Sequence, residues 1–515
     1  MTFALPFLMT NESPQINKPS ALWIIGLLIL LHLAITLPLA WTLNIWADEA
    51  STLYTTQNGF LNAFRHALAE EKQAPLYFWL LSLWREISSS IFFARLFSVL
   101  CSVIAIKFFF DLASRLFTRN VAIFAAAVFA LHPYLVWASL EIRVYSFVVL
   151  LSVLILKFFE EGFVSTDERK KSRILFLVFS VLGLYTSYYV GFLLVGCFAA
   201  LLVTKRWKAA KNYILRMIVA GIAFLPLLNA IRSQFASDSA SFHGATSLAE
   251  GLRILWNFFL TFVLPTEIFP PENATAVSIV RVWIVRLALV AAVILLVKGR
   301  KIFDDQLLRF GAVSAVIAVF LFASYLLLGN IYVQIRHAAV LFVPVVMFVL
   351  SVVTVLLKEH KAPLFVVAVI LAGFFGYSIY SLYPNLTKRG DWERVAAYIK
   401  ERERPGQPIV VFTTFDVLAL PYYYPGENKI LPDERYFEWE PQAAFGSENS
   451  LKTETDFTIS EIPPEATEVW LVVNEKCLST EACLPLENYV KSNYTILEEK
   501  EFYLEKVFLL RRKPQ

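Results

Sequence analysis

Charge is scarce in this 515-residue chain: only 17% of its residues are Asp, Glu, Lys or Arg, 57% are hydrophobic, and the mean hydropathy is +0.59. That is far more apolar than an ordinary soluble domain. Cysteine is scarce as well, with 4 in the whole chain, and no Cys/His run has the spacing of a zinc site. There is no phosphate-cradling P-loop and no dinucleotide glycine fingerprint, so nucleotide-driven chemistry finds no support. No cleavable leader is expected: Ala21–Leu43 is too long for a signal-peptide core, has no convincing cleavage site, and reads as an anchor. The net charge of +4 carries little information about nucleic acid, because the basic residues lie in short loops between apolar runs, as membrane topology requires.

What the chain does have is long apolar runs. About 20 apolar residues span the hydrocarbon core as a helix. Candidates are Ala21–Leu43, Ile91–Ala113, Val121–Val136, Tyr145–Phe159, Ile214–Ile231, Val282–Val297, Leu307–Leu328, Ala338–Leu357 and Leu364–Leu382. The uncharged segment Ile174–Val203 is too long for one crossing, and its polar-aromatic centre, Tyr185 to Gly191, reads as the turn of a helical hairpin. That count gives about 11 transmembrane helices, and loop charge tests it. With the N-terminus inside, Arg115 and Arg119, Arg169 to Arg173, Lys205 to Lys211, Lys298 to Lys301, and Lys358 and Lys361 all fall on the inner face. Pro75–Trp84 is too short to span and is expected to lie in the interface, so 44–90 becomes one outer loop with juxtamembrane helices.

After Pro384 the chain changes character. Asp391–Ile399 has helical spacing, while Pro408–Phe412, Val469–Val473 and Phe502–Leu510 read as strands. The expected architecture is therefore a polytopic α-helical membrane protein with a small C-terminal α/β outer domain. Its expected divisions are an inner tail at 1–20, a membrane domain at 21–383 and the outer domain at 384–515. Cys477 and Cys483 lie close together in that outer domain and could form a short-loop disulfide. Cys101 and Cys197 sit in apolar helices as packing residues.

The functional signal is the acidic pair Asp48-Glu49, placed where the first span ends. Ionisable residues at membrane depth are costly and face water, a partner or a substrate. Glu141, in the run Glu141-Ile142-Arg143-Val144-Tyr145, emerges on the same face two crossings later. A transferase facing outwards needs a donor that arrives through the membrane, and a lipid-linked phosphosugar fits. The chemistry then needs a carboxylate base, cations for the leaving phosphate and an apolar groove for the lipid. Asp48 is the base candidate, with Glu49 or Glu141 positioning the acceptor or a cation. Lys72, Arg95, Arg143, Arg336 and His337 are the phosphate candidates. Structural readings stand beside these: Arg143 could simply pair with Glu141, Arg95 could snorkel, and His337 could be an interfacial histidine.

The runs Trp46-Ala47-Asp48-Glu49-Ala50, Gln73-Ala74-Pro75-Leu76-Tyr77, Ala94-Arg95-Leu96-Phe97-Ser98 and His132-Pro133, followed by Ser139 to Tyr145, resemble the C superfamily of membrane glycosyltransferases. The nearest likeness is to the protein O-mannosyltransferase and aminoarabinose transferase-like branch, with Ile335-Arg336-His337 as a looser later match. The resemblance implies inverting transfer of a sugar from a polyprenyl phosphate to a glycan, lipid or protein acceptor at the outer face of a bacterial inner membrane. It assigns Asp48 as base, Glu141 as second acid, and a phosphate-contacting cation around Lys72-Gln73. Where many relatives carry His or Lys before the Pro-Leu-Tyr run, this chain has Gln73-Ala74; where others carry a turn histidine, it has Ser187.

A divalent Mg²⁺ or Mn²⁺ between Asp48 and Glu141 suits hard carboxylates but is not required by carboxylates set among several cations. A transporter or lipid flippase is the main alternative; it would be expected to show internal repeats and midplane charges, which are not evident here. A non-catalytic scaffold using the tail for binding would leave the 44–90 loop without a role. An outer-face glycan polymerase would use similar residues and differ mainly in its acceptor.

Overall fold

In the computed structural model, the described residues are 18–165, 169–238, 247–266, 275–298, 305–328, 333–357, 361–382, 390–412, 416–432, 448–474, 477 and 481–514. Most of the expected inner tail, the start of the loop at 329–332, the boundary at 383–389, and Arg300, Lys301 and Lys358 lie outside them.

The chain opens with helix α1, Lys18–Thr42. Three short helices fill the expected outer loop: α2, Ala47–Thr55; α3, Phe60–Ala69; and α4, Leu76–Arg85. In α4, Tyr77, Phe78, Leu81 and Ser82 are buried, so it packs along its length and does not project into solvent. Helix α5, Ile91–Leu116, starts at Ser90, whose hydroxyl accepts the Phe93 amide at 3.2 Å as an N-cap. At 1.5 Å per residue its 26 residues run about 39 Å, enough to cross a bilayer.

The expected single span Val121–Val136 is instead two helices, α6, Arg119–Ala130, and α7, Pro133–Leu140, bent by 45°. The cause is local. Proline disfavours helical geometry in the residue before it, and His132 accordingly takes an extended conformation with ψ 124°. Its ring accepts the Tyr134 amide at 3.1 Å and so restarts the helix.

Helix α8, Tyr145–Phe159, has every residue buried and is the hub of the bundle; a helix apolar all round belongs in such a position. It ends in a π-helical turn, Glu160–Val164. The expected hairpin follows as α9, Lys170–Leu184, and α10, Val190–Val203. Then come α11, Trp207–Asp238; α12, Leu248–Val263; α13, Ala276–Lys298; α14, Asp305–Leu328; α15, Ala339–Leu357; and α16, Lys361–Leu382. By length and apolarity, 4 helices among the described residues could cross a membrane singly, or 5 with the bent pair as one span. A count of 11 rests on the loop charges.

The bundle has two polar ends. At one end, Arg309 pairs with Glu160 at 2.9 Å and Arg115 with Glu161 at 2.9 Å, while Arg206 donates to the Val164 carbonyl at 2.6 Å. These residues terminate or begin α5, α8, α10 and α14. The opposite ends of α5, α8 and α14 run toward Arg95, Tyr145 and Arg336, where the acidic residues gather.

Beyond α16 lies helix α17, Trp392–Arg402, and a five-stranded sheet in the order β2-β1-β3-β5-β4. The strands are β1, Ile409–Val411; β2, Ile430–Leu431; β3, Glu468–Asn474; β4, Tyr494–Glu501; and β5, Glu505–Arg512. β1 runs parallel to β2 and β3, and the remaining pairs are antiparallel. Alternating residues split between the two faces. Ile409, Val411, Trp470, Val472 and Leu509 join α17 in a core continuous with the helical bundle. Val410, Leu471, Val473 and Leu510 pack on the other side, where Cys477 and Cys483 are disulfide-bonded.

Helix contact within the bundle depends on small residues. A Cβ on Gly196 of α10 would lie 3.1 Å from both Cα and the carbonyl oxygen of Val313 on α14, whereas Gly221 on α11 has open space. Gly196→Leu should therefore destabilise the protein by about 1–3 kcal/mol through overpacking. A lower thermal unfolding midpoint in detergent, with Gly221→Leu unchanged or higher, is the expected result.

Candidate active site

Four non-helical residues, Leu43 to Trp46, connect α1 to α2 and set where the acidic pair sits. Asp48 and Glu49 occupy the first turn of α2, where the helix dipole favours negative charge. Neighbouring positions on a helix point about 100° apart, and the two acids accordingly have different surroundings. Glu49 is fully buried and paired with Arg95 of α5 at 3.2 Å; its other oxygen accepts the Ile142 amide at 2.9 Å. Arg95 is also fully buried and donates further to the carbonyls of Ala40, Leu43 and Asn44 at 3.1, 2.5 and 3.0 Å. Asp48, by contrast, keeps 22% of its side chain exposed and is ion-paired with Arg336, which keeps 19%.

Arg143 arrives from the loop after α7. Its guanidinium donates to Glu71 at 2.7 Å, to the Thr52 hydroxyl at 2.7 Å and to the Asp48 carbonyl at 3.2 Å. The expected alternative partner, Glu141, instead accepts the Trp46 indole N–H at 2.8 Å. Burial opposes the charge on Arg143, but Glu71 and Asp48 outweigh it and hold the guanidinium well above its ordinary value. For Arg336, burial likewise works against the charge, and Asp48 and Tyr145 raise it above the ordinary value. Both cations therefore stay protonated. Each also has a buried Nε with no hydrogen-bond acceptor.

Around this core stand aromatic rings. Arg336 lies over the Trp46 ring at 5.7 Å, Tyr145 stacks on Trp137 at 5.1 Å, and His337 stacks on Tyr189 at 5.6 Å. His337 also accepts the Gln334 amide through Nδ1 at 3.2 Å. The Tyr185 carbonyl accepts the Leu76 amide at 2.9 Å, fastening the hairpin turn to α4.

The structure thus joins Asp48, Glu49, Arg95, Glu141, Arg143, Tyr145 and Arg336 in one network at one end of the bundle, with His337 at its edge. Lys72 and Gln73 lie in the turn between α3 and α4, beside Glu71; Lys72 has φ +50°, and the Gln73 amide donates to the Ala67 carbonyl at 2.9 Å. Sequence reasoning missed Glu71, which also accepts the Ser51 hydroxyl at 2.8 Å. Its only signal was position, next to Lys72-Gln73 in the expected outer loop. Among the described residues no group of three or more His, Cys, Asp or Glu side chains converges as a metal site. A divalent cation at Asp48 and Glu141 would have to compete with Arg336 and the Trp46 indole.

Residues 72–229 match the family described as dolichyl-phosphate-mannose-protein mannosyltransferase. The match covers Lys72, Arg95, Glu141 and Arg143 and leaves Asp48 and Arg336 outside. No curated protein matches the chain significantly by sequence. Among solved structures, ArnT from Cupriavidus metallidurans bound to undecaprenyl phosphate is similar with TM-score 0.57 at 13% identity, covering 96% of this chain and 98% of that one. The Archaeoglobus fulgidus oligosaccharyltransferase in its apo form is similar with TM-score 0.53 at 12% identity, over 94% of this chain and 74% of its own. At such identities the likeness is one of fold.

Removing one member of a buried ion pair strands the other charge, at a cost of about 3–5 kcal/mol. Arg95→Met and Glu49→Gln should each lower the thermal midpoint sharply, whereas the double variant should recover part of the loss. Equal, small effects of both single variants would mean that the pair does not brace the α1–α2 link.

Proposed function

From the fold of the C-superfamily membrane glycosyltransferases, which this multi-pass chain has, we propose that it moves a sugar from a polyprenyl-phosphate donor to an acceptor hydroxyl or amine at the outer face of a bacterial inner membrane. The observation that carries this reading is the contrast at Asp48-Glu49: one acid is sealed into the protein by Arg95, and the next is accessible beside two charged arginines.

The division of labour follows from those contacts. Asp48 is the general base. As the acceptor oxygen or nitrogen bonds to the anomeric carbon, its proton passes to the Asp48 carboxylate, and the carbon–oxygen bond to phosphate breaks. Polyprenyl phosphate leaves with the bonding electrons, and attack from the face opposite to it inverts the anomeric centre. Arg336, in a pair that stays partly exposed, and Arg143, bonded to the Asp48 carbonyl, balance the growing phosphate charge. Phosphate binding to Arg336 would also draw it from Asp48, making the base available when the donor is in place. Lys72 adds a point charge from the neighbouring turn. Glu141 is buried and held by the Trp46 indole N–H, so it belongs to the frame that positions Asp48. Glu49 and Arg95 act as scaffold: their donors and acceptors are engaged within the protein, so neither needs to meet the substrate.

Two measurements test this. Asp48→Asn should lower release of polyprenyl phosphate in membranes by about 10²–10⁴-fold while leaving the thermal midpoint near that of the wild type. If a panel of polyprenyl-phosphate sugars gives no release even with wild type, the transferase reading fails and the flippase alternative takes its place. Arg336→Ala should remove charge-assisted hydrogen bonding of about 1.5–3 kcal/mol, a rise in donor KM of roughly tenfold or more. An unchanged KM would remove Arg336 from the phosphate site.

A further inference from the structure

The four-residue link that aims Asp48 is gripped from two sides, and only one of them belongs to the helical bundle. From within, Arg95 takes the carbonyls of Leu43 and Asn44. From without, the Ile45 amide donates at 2.8 Å to the hydroxyl of Tyr423, a residue 378 positions further along the chain. Ile45 is completely buried, and a buried backbone N–H needs an acceptor. Here it comes from the sheet-bearing tail.

Tyr423 sits in an irregular stretch between β1 and β2. The preceding 3-10 turn, Leu420–Tyr422, gives it its place, and Leu420 and Ala419 are fully buried in the core shared with the bundle. Tyr423, Glu393, Asn44, Trp41 and Phe92 line a cavity of about 220 Å³ at this junction. The Asp416–Leu418 turn packs against α2 itself. Burial pushes the Tyr423 hydroxyl up to about 12, so it stays neutral and keeps its hydrogen-bonding role across ordinary pH.

We infer that Tyr423 is a positioning residue through which the C-terminal unit sets the aim of Asp48: it fixes the link three residues before the base, while Arg95 and Glu49 fix the chain one residue after it. The inference rests on Asp48 being the base. It gives the tail a role in the reaction without touching the substrate. Without the outer anchor the link would hang on Arg95 alone, while α2 beyond it stays held by Arg143 through Thr52 and the Asp48 carbonyl; the entry to α2 could then shift, and displacements near 1 Å at a reacting group cost up to about 10²-fold in rate.

The test compares Tyr423→Phe with Tyr424→Phe in the full-length protein. Tyr424 is the neighbouring ring, and its hydroxyl bonds Glu403 and the Asn428 amide within the tail; its loss perturbs the same unit without reaching the link. Two quantities are read: hydrogen exchange in peptides covering residues 43–48, and kcat against donor KM for polyprenyl phosphate release. Tyr423→Phe should speed exchange at 43–48 and lower kcat about tenfold with KM within twofold, whereas Tyr424→Phe should do neither. Unchanged exchange in Tyr423→Phe overturns the clamp. Faster exchange with unchanged kcat, or the same kcat loss in Tyr424→Phe, overturns the positioning role. If wild type itself releases no polyprenyl phosphate, the transferase reading and with it the positioning role fall, while exchange still decides whether Tyr423 holds the link.

Discussion

The buried pair of Glu49 and Arg95 is the constraint on which this end of the helical bundle depends. Neither side chain has exposed surface, and an isolated charge in such a place would cost several kcal/mol. Pairing alone does not remove that cost; saturating the remaining hydrogen-bonding groups does. Arg95 reaches three carbonyls at the end of α1 and the start of the link, and Glu49 takes the Ile142 amide from the loop after α7. One ion pair therefore ties together α1, α2, α5 and the segment that carries Glu141 and Arg143. The polar groups that burial must satisfy are backbone groups of the link and of the loop after α7, so satisfying them also fixes where Asp48 and Glu141 lie.

The same reasoning separates the acids of the site. Glu49, Glu71 and Glu141 each meet donors supplied by the protein: Arg95, Arg143 and the Trp46 indole. Asp48 also has a cationic partner, but both members of that pair stay partly exposed. A pair open to solvent is held weakly compared with one sealed from it. The accessible pair is thus the one whose partners can be exchanged, and the sealed ones keep the frame. Two adjacent carboxylates, identical in chemistry to within a methylene, have been given opposite surroundings by the direction in which a helix turns them.

What the sequence could reveal follows from the range over which each signal acts. Hydropathy and loop charge act locally, and they located α1, α5, α8 and the α9–α10 hairpin, whose turn at Tyr185–Tyr189 was visible as polar-aromatic residues inside an uncharged run. The strands β1, β3 and β5 were legible as apolar runs in a polar tail. The bend at Leu131–His132 was present in the sequence as His132-Pro133, but mean apolarity masks a single proline and the two helices read as one. The acid and arginine positions were legible as unusual charges at membrane depth; their partners were not. Nothing local distinguishes Glu71 from any loop glutamate, and its meaning comes from Arg143, 72 residues away. Tyr423 lay in a segment with no visible motif at all.

That last case bears on how such a chain divides into parts. Composition separates an apolar bundle from a polar tail after Pro384, as though the two could be understood apart. Packing does not respect the division. Trp392, Val395 and Ile399 of α17 and Trp470 of β3 belong to the same continuous core as the helices, and the tail supplies the acceptor for a buried amide in the link that leads to Asp48. A sheet unit that merely hung from the membrane domain would have no reason to bury its aromatic residues there, because an isolated domain gains as much by burying them in its own core. The sheet instead spends one face inward on the bundle and keeps a second core, stapled by Cys477 and Cys483, on its far side. The far core packs the tail on its own account, and the near face joins it to the link before Asp48.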